Sequence, residues 1–165
     1  MRFHFVVTAA LTAVVAASCI DPLDVPPCNE TTVTPVSTSA DTVNTNTGLR
    51  YVEGLAGRGL AAEWCQTLAV HYSAYLLDGT KFDSSGVDNP LVFTPGLGGL
   101  IDGLEQGVVG MRLEGTRRLI IPPDLGFGPN PRRDENGVIV VPGNSTLIFD
   151  IEVLAVDLGA AGSQP

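Results

Sequence analysis

The sequence predicts an α+β fold in which antiparallel strands pack against one short helix. Three observations carry this expectation. Residues 67–77 and 145–156 alternate apolar and polar side chains with the period of a half-buried strand. Leu100, Ile101, Leu104 and Val108 instead share one helical face, in a short segment bounded by Gly99 and Gly110. The turn dipeptides Asp78-Gly79 and Asn136-Gly137, with the break at Asn89-Pro90, punctuate the strands as in antiparallel sheets.

Along the chain, Met1 and Arg2 are followed by an apolar run from Phe3 to Ala17, interrupted by His4 and Thr8. The run is too short to span a hydrocarbon core of about 30 Å, so residues 1–18 read as a signal peptide. It ends in Ala16-Ala17-Ser18-Cys19, small residues before a cysteine as in a bacterial lipobox. Cys19 is therefore the expected lipidation site; a plain cleaved signal with Cys19 incidental is the alternative. The expected location is outside the cytoplasm, as a membrane-anchored lipoprotein facing the periplasm or cell surface. Residues 19–47 form the expected lipid-anchored linker. From Ile20 to Thr47 there is no aromatic residue and much Thr, Ser, Pro and Asp, a composition that buries too little apolar surface to offset backbone ordering. A flexible coil of about 28 residues reaches on the order of 30 Å.

The folded domain is expected over residues 48–158, with a disordered tail at 159–165. Its first long strand places Leu68, Val70, Tyr72, Ala74 and Leu76 on one face. Its last places Leu147, Phe149, Ile151 and Val153 inward. Residues 48–55 and 112–121 are weaker strand candidates. No internal repeat is visible.

Hydrophobic residues make up 44% of the chain and charged ones 16%, with 19 Gly and 12 Pro, which disfavours a helical bundle. The net charge of −9, with Lys81 and the arginines scattered, leaves no basic stripe for nucleic acid or an anionic membrane surface. With His4 in the signal segment and His71 on a strand's polar face, no two-histidine metal site or Ser-His-Asp triad can be assembled, and no metal or cofactor is expected. Gly96-Leu97-Gly98-Gly99 lacks the remaining features of a dinucleotide fingerprint and reads as a turn before the helix. Cys28 and Cys65 are left as two thiols that could pair in an oxidising compartment.

Four strings occur in order: Val70-His71-Tyr72, Asp78-Gly79-Thr80-Lys81-Phe82-Asp83-Ser84-Ser85, Leu100-Ile101-Asp102-Gly103-Leu104-Glu105 and Thr146-Leu147-Ile148-Phe149-Asp150. Together they resemble the FKBP-type peptidyl-prolyl cis-trans isomerase domain. The resemblance implies a curved antiparallel sheet wrapped around a short helix, with an apolar pocket for a proline ring between them. It implies Tyr72, Phe82, Asp83, Ile101, Phe127 and Phe149 as catalytic residues, the Ile101 N–H donating to the substrate carbonyl. Leu91, Leu100, Leu104, Val140 and Val141 are implied as substrate-binding walls. The partners implied are proline-containing polypeptides, with macrolide inhibitors of the FKBP class, and the expected state is a monomer.

Such a site needs no nucleophile, because rotation about an X-Pro bond breaks amide resonance and no σ bond. The twisted amide is less polar than the planar one, so an apolar enclosure favours it. Three positions depart from the family pattern: Leu104 stands for a tryptophan, Leu91 for a phenylalanine and Phe127 for a tyrosine. The lost tyrosine hydroxyl removes a hydrogen bond worth about 0.5 to 1.5 kcal/mol, which predicts reduced turnover. A proline-peptide binding module or chaperone with little turnover is the competing expectation. The segment 128–137, with Pro129, Pro131, Arg132, Arg133, Asp134 and Glu135, is longer and more charged than the family form, which points to altered substrate choice.

Overall fold

The computed structural model describes residues 35–39 and 42–156. The expected signal peptide, Cys19, Cys28 and the tail 159–165 lie outside the described residues. In chain order the strands are β1 (Pro35–Ser39), β2 (Thr42–Thr45), β3 (Arg50–Glu53), β4 (Arg58–Ala61), β5 (Leu68–Leu76), β6 (Lys81–Ser84) and β7 (Leu91–Phe93). Helix α1 (Asp102–Val108) follows, then β8 (Arg112–Leu113), β9 (Thr116–Ile121), a 3-10 turn at Pro123–Leu125, β10 (Arg132–Arg133), β11 (Ile139–Val141) and β12 (Leu147–Val156).

The main sheet runs β1-β2-β3-β9-β12-β5-β6, with β7 also paired to β5. All these pairings are antiparallel. The long strand β5 serves two partners in succession: Leu68, Ala69 and Val70 face β7, whereas Ser73, Ala74 and Tyr75 face β6. A tight turn at residues 86–89 lets β6 and β7 share that edge, its Asn89 N–H donating to the Gly86 carbonyl.

The two alternating segments fold as expected. Leu68, Val70 and Ala74 of β5 and Leu147, Phe149, Ile151 and Val153 of β12 are buried on the inner face. There they meet Leu104 and Val108 of α1 and Leu119 and Ile121 of β9 in one core cluster. The helix lies so close to β9 that two of its residues have no room for a side chain. A Cβ on Gly103 would collide with Ile121, and one on Gly107 with Leu119. Glycine at this i, i+4 pair lets the helix backbone sit on the strand.

Two expectations change. The tether expected over 19–47 already contains β1 and β2, so the sheet begins before Gly48. β2 pairs with β3 through Val43 opposite Tyr51 and Asn44 opposite Arg50. The Thr45 N–H and Oγ1 both donate to the Leu49 carbonyl at 2.9 Å, closing the hairpin. An edge strand is held by backbone pairing and tolerates a polar composition, which is why the shortage of apolar residues misled. Leu100 and Ile101 lie before the helix, with Ile101 in extended conformation at its N-cap, while Leu104 and Val108 are helical and buried.

Candidate functional site

The inner face of β5, β6 and β12 carries three aromatic rings, with Phe149 in contact with the other two. Tyr72 and Phe149 stack with centroids 5.8 Å apart. Phe82 meets Phe149 edge-on at 6.1 Å, an arrangement that aligns ring edges with ring faces. Alternation on β5 and β12 turns Tyr72 and Phe149 inward, and the pairing of Ala74 with both Phe149 and Asp83 holds β6 alongside.

The Tyr72 phenol donates a hydrogen bond to the Asp83 carboxylate at 2.9 Å. The other Asp83 oxygen accepts from the Ser84 N–H at 2.8 Å, so this carboxylate both orients the phenol and caps its own turn. Partial burial, then the hydrogen bond to Asp83 and the nearby negative charge push the Tyr72 pKa up to about 12. Tyr72 is therefore a neutral, fixed donor at physiological pH.

The other predicted residues sort by depth. Leu104 and Val141 are fully buried in the same core cluster as Phe149. Leu91, Leu100, Ile101, Phe127 and Val140 are half-buried and pack against the same core. The Ile101 carbonyl accepts from the Leu104 and Glu105 N–H groups in the first helical turn. Its own N–H, at the N-cap, makes no hydrogen bond within the described residues and is available as a donor. The Arg132 guanidinium lies over the Phe127 ring, 4.9 Å from its centroid. Cys65 is disulfide-bonded and left-handed, with φ of 67°, while its expected partner Cys28 lies outside the described residues.

Two charged residues here were not assigned roles from the sequence. Glu105 is buried on α1, and its carboxylate accepts from the N–H groups of Gly96 at 2.9 Å, Gly99 at 3.1 Å and Leu100 at 3.2 Å. One side chain thus fastens the loop that delivers Leu100 and Ile101. The visible signal was a carboxylate in the first helical turn after a glycine-rich loop. Arg117, 7% exposed, donates to the Gly107 and Val109 carbonyls, pairs with Glu53 and stacks on Tyr51. It closes the C-terminal end of α1 onto the sheet.

A cavity of about 620 Å³ lies on the opposite face of the sheet, among Val52, His71, Ser73, Arg118, Asp150 and Glu152. These positions have the outward parity of their strands; Tyr72, Arg117 and Ile151 also contribute to the lining, whereas Phe82 and Phe149 do not. Among the described residues, no group of three His, Cys, Asp or Glu is placed to hold a metal ion, and no helix is long and apolar enough to cross a membrane.

The family model for FKBP-type peptidyl-prolyl cis-trans isomerases matches residues 61–154, a span that contains Tyr72, Phe82, Phe127 and Phe149. The chain belongs to the FKBP-type peptidyl-prolyl cis-trans isomerase family. FK506-binding protein 2 of Dictyostelium discoideum is 47% identical over 92 residues, covering 54% of this chain and 65% of that protein. The isomerase FkpA of Escherichia coli K12 is 39% identical over 112 residues, covering 67% of this chain and 38% of that protein. The chain thus spans less than two thirds of the length of these curated relatives. Among solved structures, AtFKBP13 superposes with a TM-score of 0.64 at 32% identity, covering 70% of this chain and 98% of that one. The FkpA crystal structure gives 0.60 at 37% identity, covering 72% of this chain and 53% of that one. The fold is the FKBP-like α+β fold, an antiparallel sheet with one short helix.

Proposed function

We propose that this chain is a peptidyl-prolyl cis-trans isomerase that accelerates X-Pro rotation in exported polypeptides at the Tyr72, Phe82 and Phe149 cluster. The observation that carries the reading is the contact of these three rings on the inner face of the sheet, with Tyr72 fixed by Asp83. The proline ring sits against the aromatic walls, and Leu100, Leu104, Val140 and Val141 complete an apolar enclosure. Rotation removes the charge separation of amide resonance, so expulsion of water lowers the barrier. The Ile101 N–H holds the substrate carbonyl, and no covalent intermediate forms.

Phe127 offers no hydroxyl to the substrate, so turnover is modest. The same residue, with Leu91 and Leu104, favours the second reading, a proline-peptide binding module with little turnover. A protease-coupled assay on X-Pro peptides separates the two. Acceleration above the thermal rate is expected; peptide binding without acceleration would leave only the binding module. The name of the Dictyostelium relative supports macrolides of the FK506 class as inhibitors here.

Export follows from the N-terminal apolar run, and a relative from Arabidopsis thaliana is named for a lumenal location. Cys19 carries the lipid and tethers the domain. Cys19→Ala should then move the protein from the membrane fraction to the soluble one; unchanged partitioning means that Cys19 is not the anchor.

A further inference from the structure

The segment between Gly128 and Val138 has no role in the isomerase chemistry, yet β10 brings it to the edge of the candidate site. Arg132 pairs through its backbone with Val141, a predicted wall residue, and its guanidinium stacks over Phe127. It is exposed and forms no ion pair among the described residues. The neighbouring charges are already engaged. Arg133 donates to the Gly137 carbonyl at 2.7 Å. Asp134 accepts from the Asn136 and Val138 N–H groups at 3.0 and 2.8 Å, and so turns into its own loop. Asp83 is held by Tyr72 and Ser84. Of the charges on this segment and on Asp83, Arg132 and Glu135 alone have no such partner, and only Arg132 is stacked on a ring of the site.

We infer that Arg132 is a specificity-determining residue that selects substrates with an acidic side chain flanking the proline. The inference rests on the reading of the ring cluster as the proline site. A guanidinium braced on an aromatic face keeps its edge free for a carboxylate and loses little side-chain freedom on binding it. The chain as a whole carries −9 and repels acidic peptides at a distance. Charges beyond a Debye length of about 8 Å are screened at physiological salt, so the nearby guanidinium dominates there.

The test is a set of otherwise identical peptides with Glu, Gln or Lys before the proline, and a second set with them after it, assayed with the full chain at physiological salt. At one flank, kcat/KM for Glu should exceed that for Gln by about threefold and that for Lys by about tenfold, as one exposed ion pair gives. Arg132→Gln should bring the Glu-to-Lys ratio to within about twofold of unity, Arg132→Lys should keep its sign, and Arg132→Glu should invert it. A ratio at or below one at both flanks overturns the inference, as does a preference that survives Arg132→Gln. If the Gln peptides are accelerated without any charge preference, only this inference falls. If no peptide is accelerated, the isomerase reading falls and takes the inference with it.

Discussion

Tyr72 joins the aromatic and polar parts of the inner face, since its ring stacks on Phe149 while its hydroxyl donates to Asp83. Its pKa, raised to about 12 from 10.0, makes stability depend on pH in one direction. The unfolded phenol ionises near pH 10 and the folded one later, so the folded state binds more protons between those values and stability falls as pH rises through that window. The contribution is fully present below pH 10. Thermal unfolding followed from pH 9 to 12 should show this loss, and Tyr72→Phe should flatten it; an unchanged slope would mean that the phenol is not held as described. Alternation alone placed Tyr72 and Phe149 inward, so their side of the sheet was legible. The contact of Phe149 with Phe82 was not, because it depends on how β6 registers against β5. Arg117 and Arg118 differ because consecutive strand positions face opposite ways: Arg117 goes under the sheet to the helix carbonyls, and Arg118 pairs with Asp150 outside.

At the scale of elements, the loop before α1 is the part that composition could not resolve. Gly96, Gly98 and Gly99 read as a flexible turn, yet Glu105 ties the N–H groups of Gly96, Gly99 and Leu100 to one carboxylate. The glycines supply close turns, and the buried charge supplies the rigidity. Glu105→Gln removes the charge and turns an amide NH2 toward N–H donors. It should destabilise the fold by about 1.5 to 3 kcal/mol, the range for hydrogen bonds to a charged group. Denaturant unfolding measures that loss, and hydrogen exchange should quicken at residues 96, 99 and 100. Equal exchange in both proteins would show that the loop is held by other means. The hairpin of β1 and β2 was missed for a different reason. Its strands are short and polar, β1 forming the sheet edge and β2 lying between β1 and β3, so pairing holds them where no alternating pattern announces them.

Over the whole molecule, strand order decides which face is which. β12 sits between β9 and β5, so its inward residues reach both the helix and the aromatic cluster. The same sheet leaves the cavity near Glu152 on its other side. Sequence periodicity separated these two faces correctly but gave no strand order, since order depends on contacts far apart in the chain. The central claim is that proline is bound and its amide twisted on the inner face, so the most direct test compares the two faces in one assay. Phe82→Ala removes a ring of the inner cluster, and Glu152→Gln alters only the outer face. The account predicts a fall in kcat/KM of at least about tenfold for Phe82→Ala, from lost apolar contact with the twisted amide, and a value within about twofold of the parent for Glu152→Gln. Full activity in Phe82→Ala, or its loss in Glu152→Gln, would contradict it.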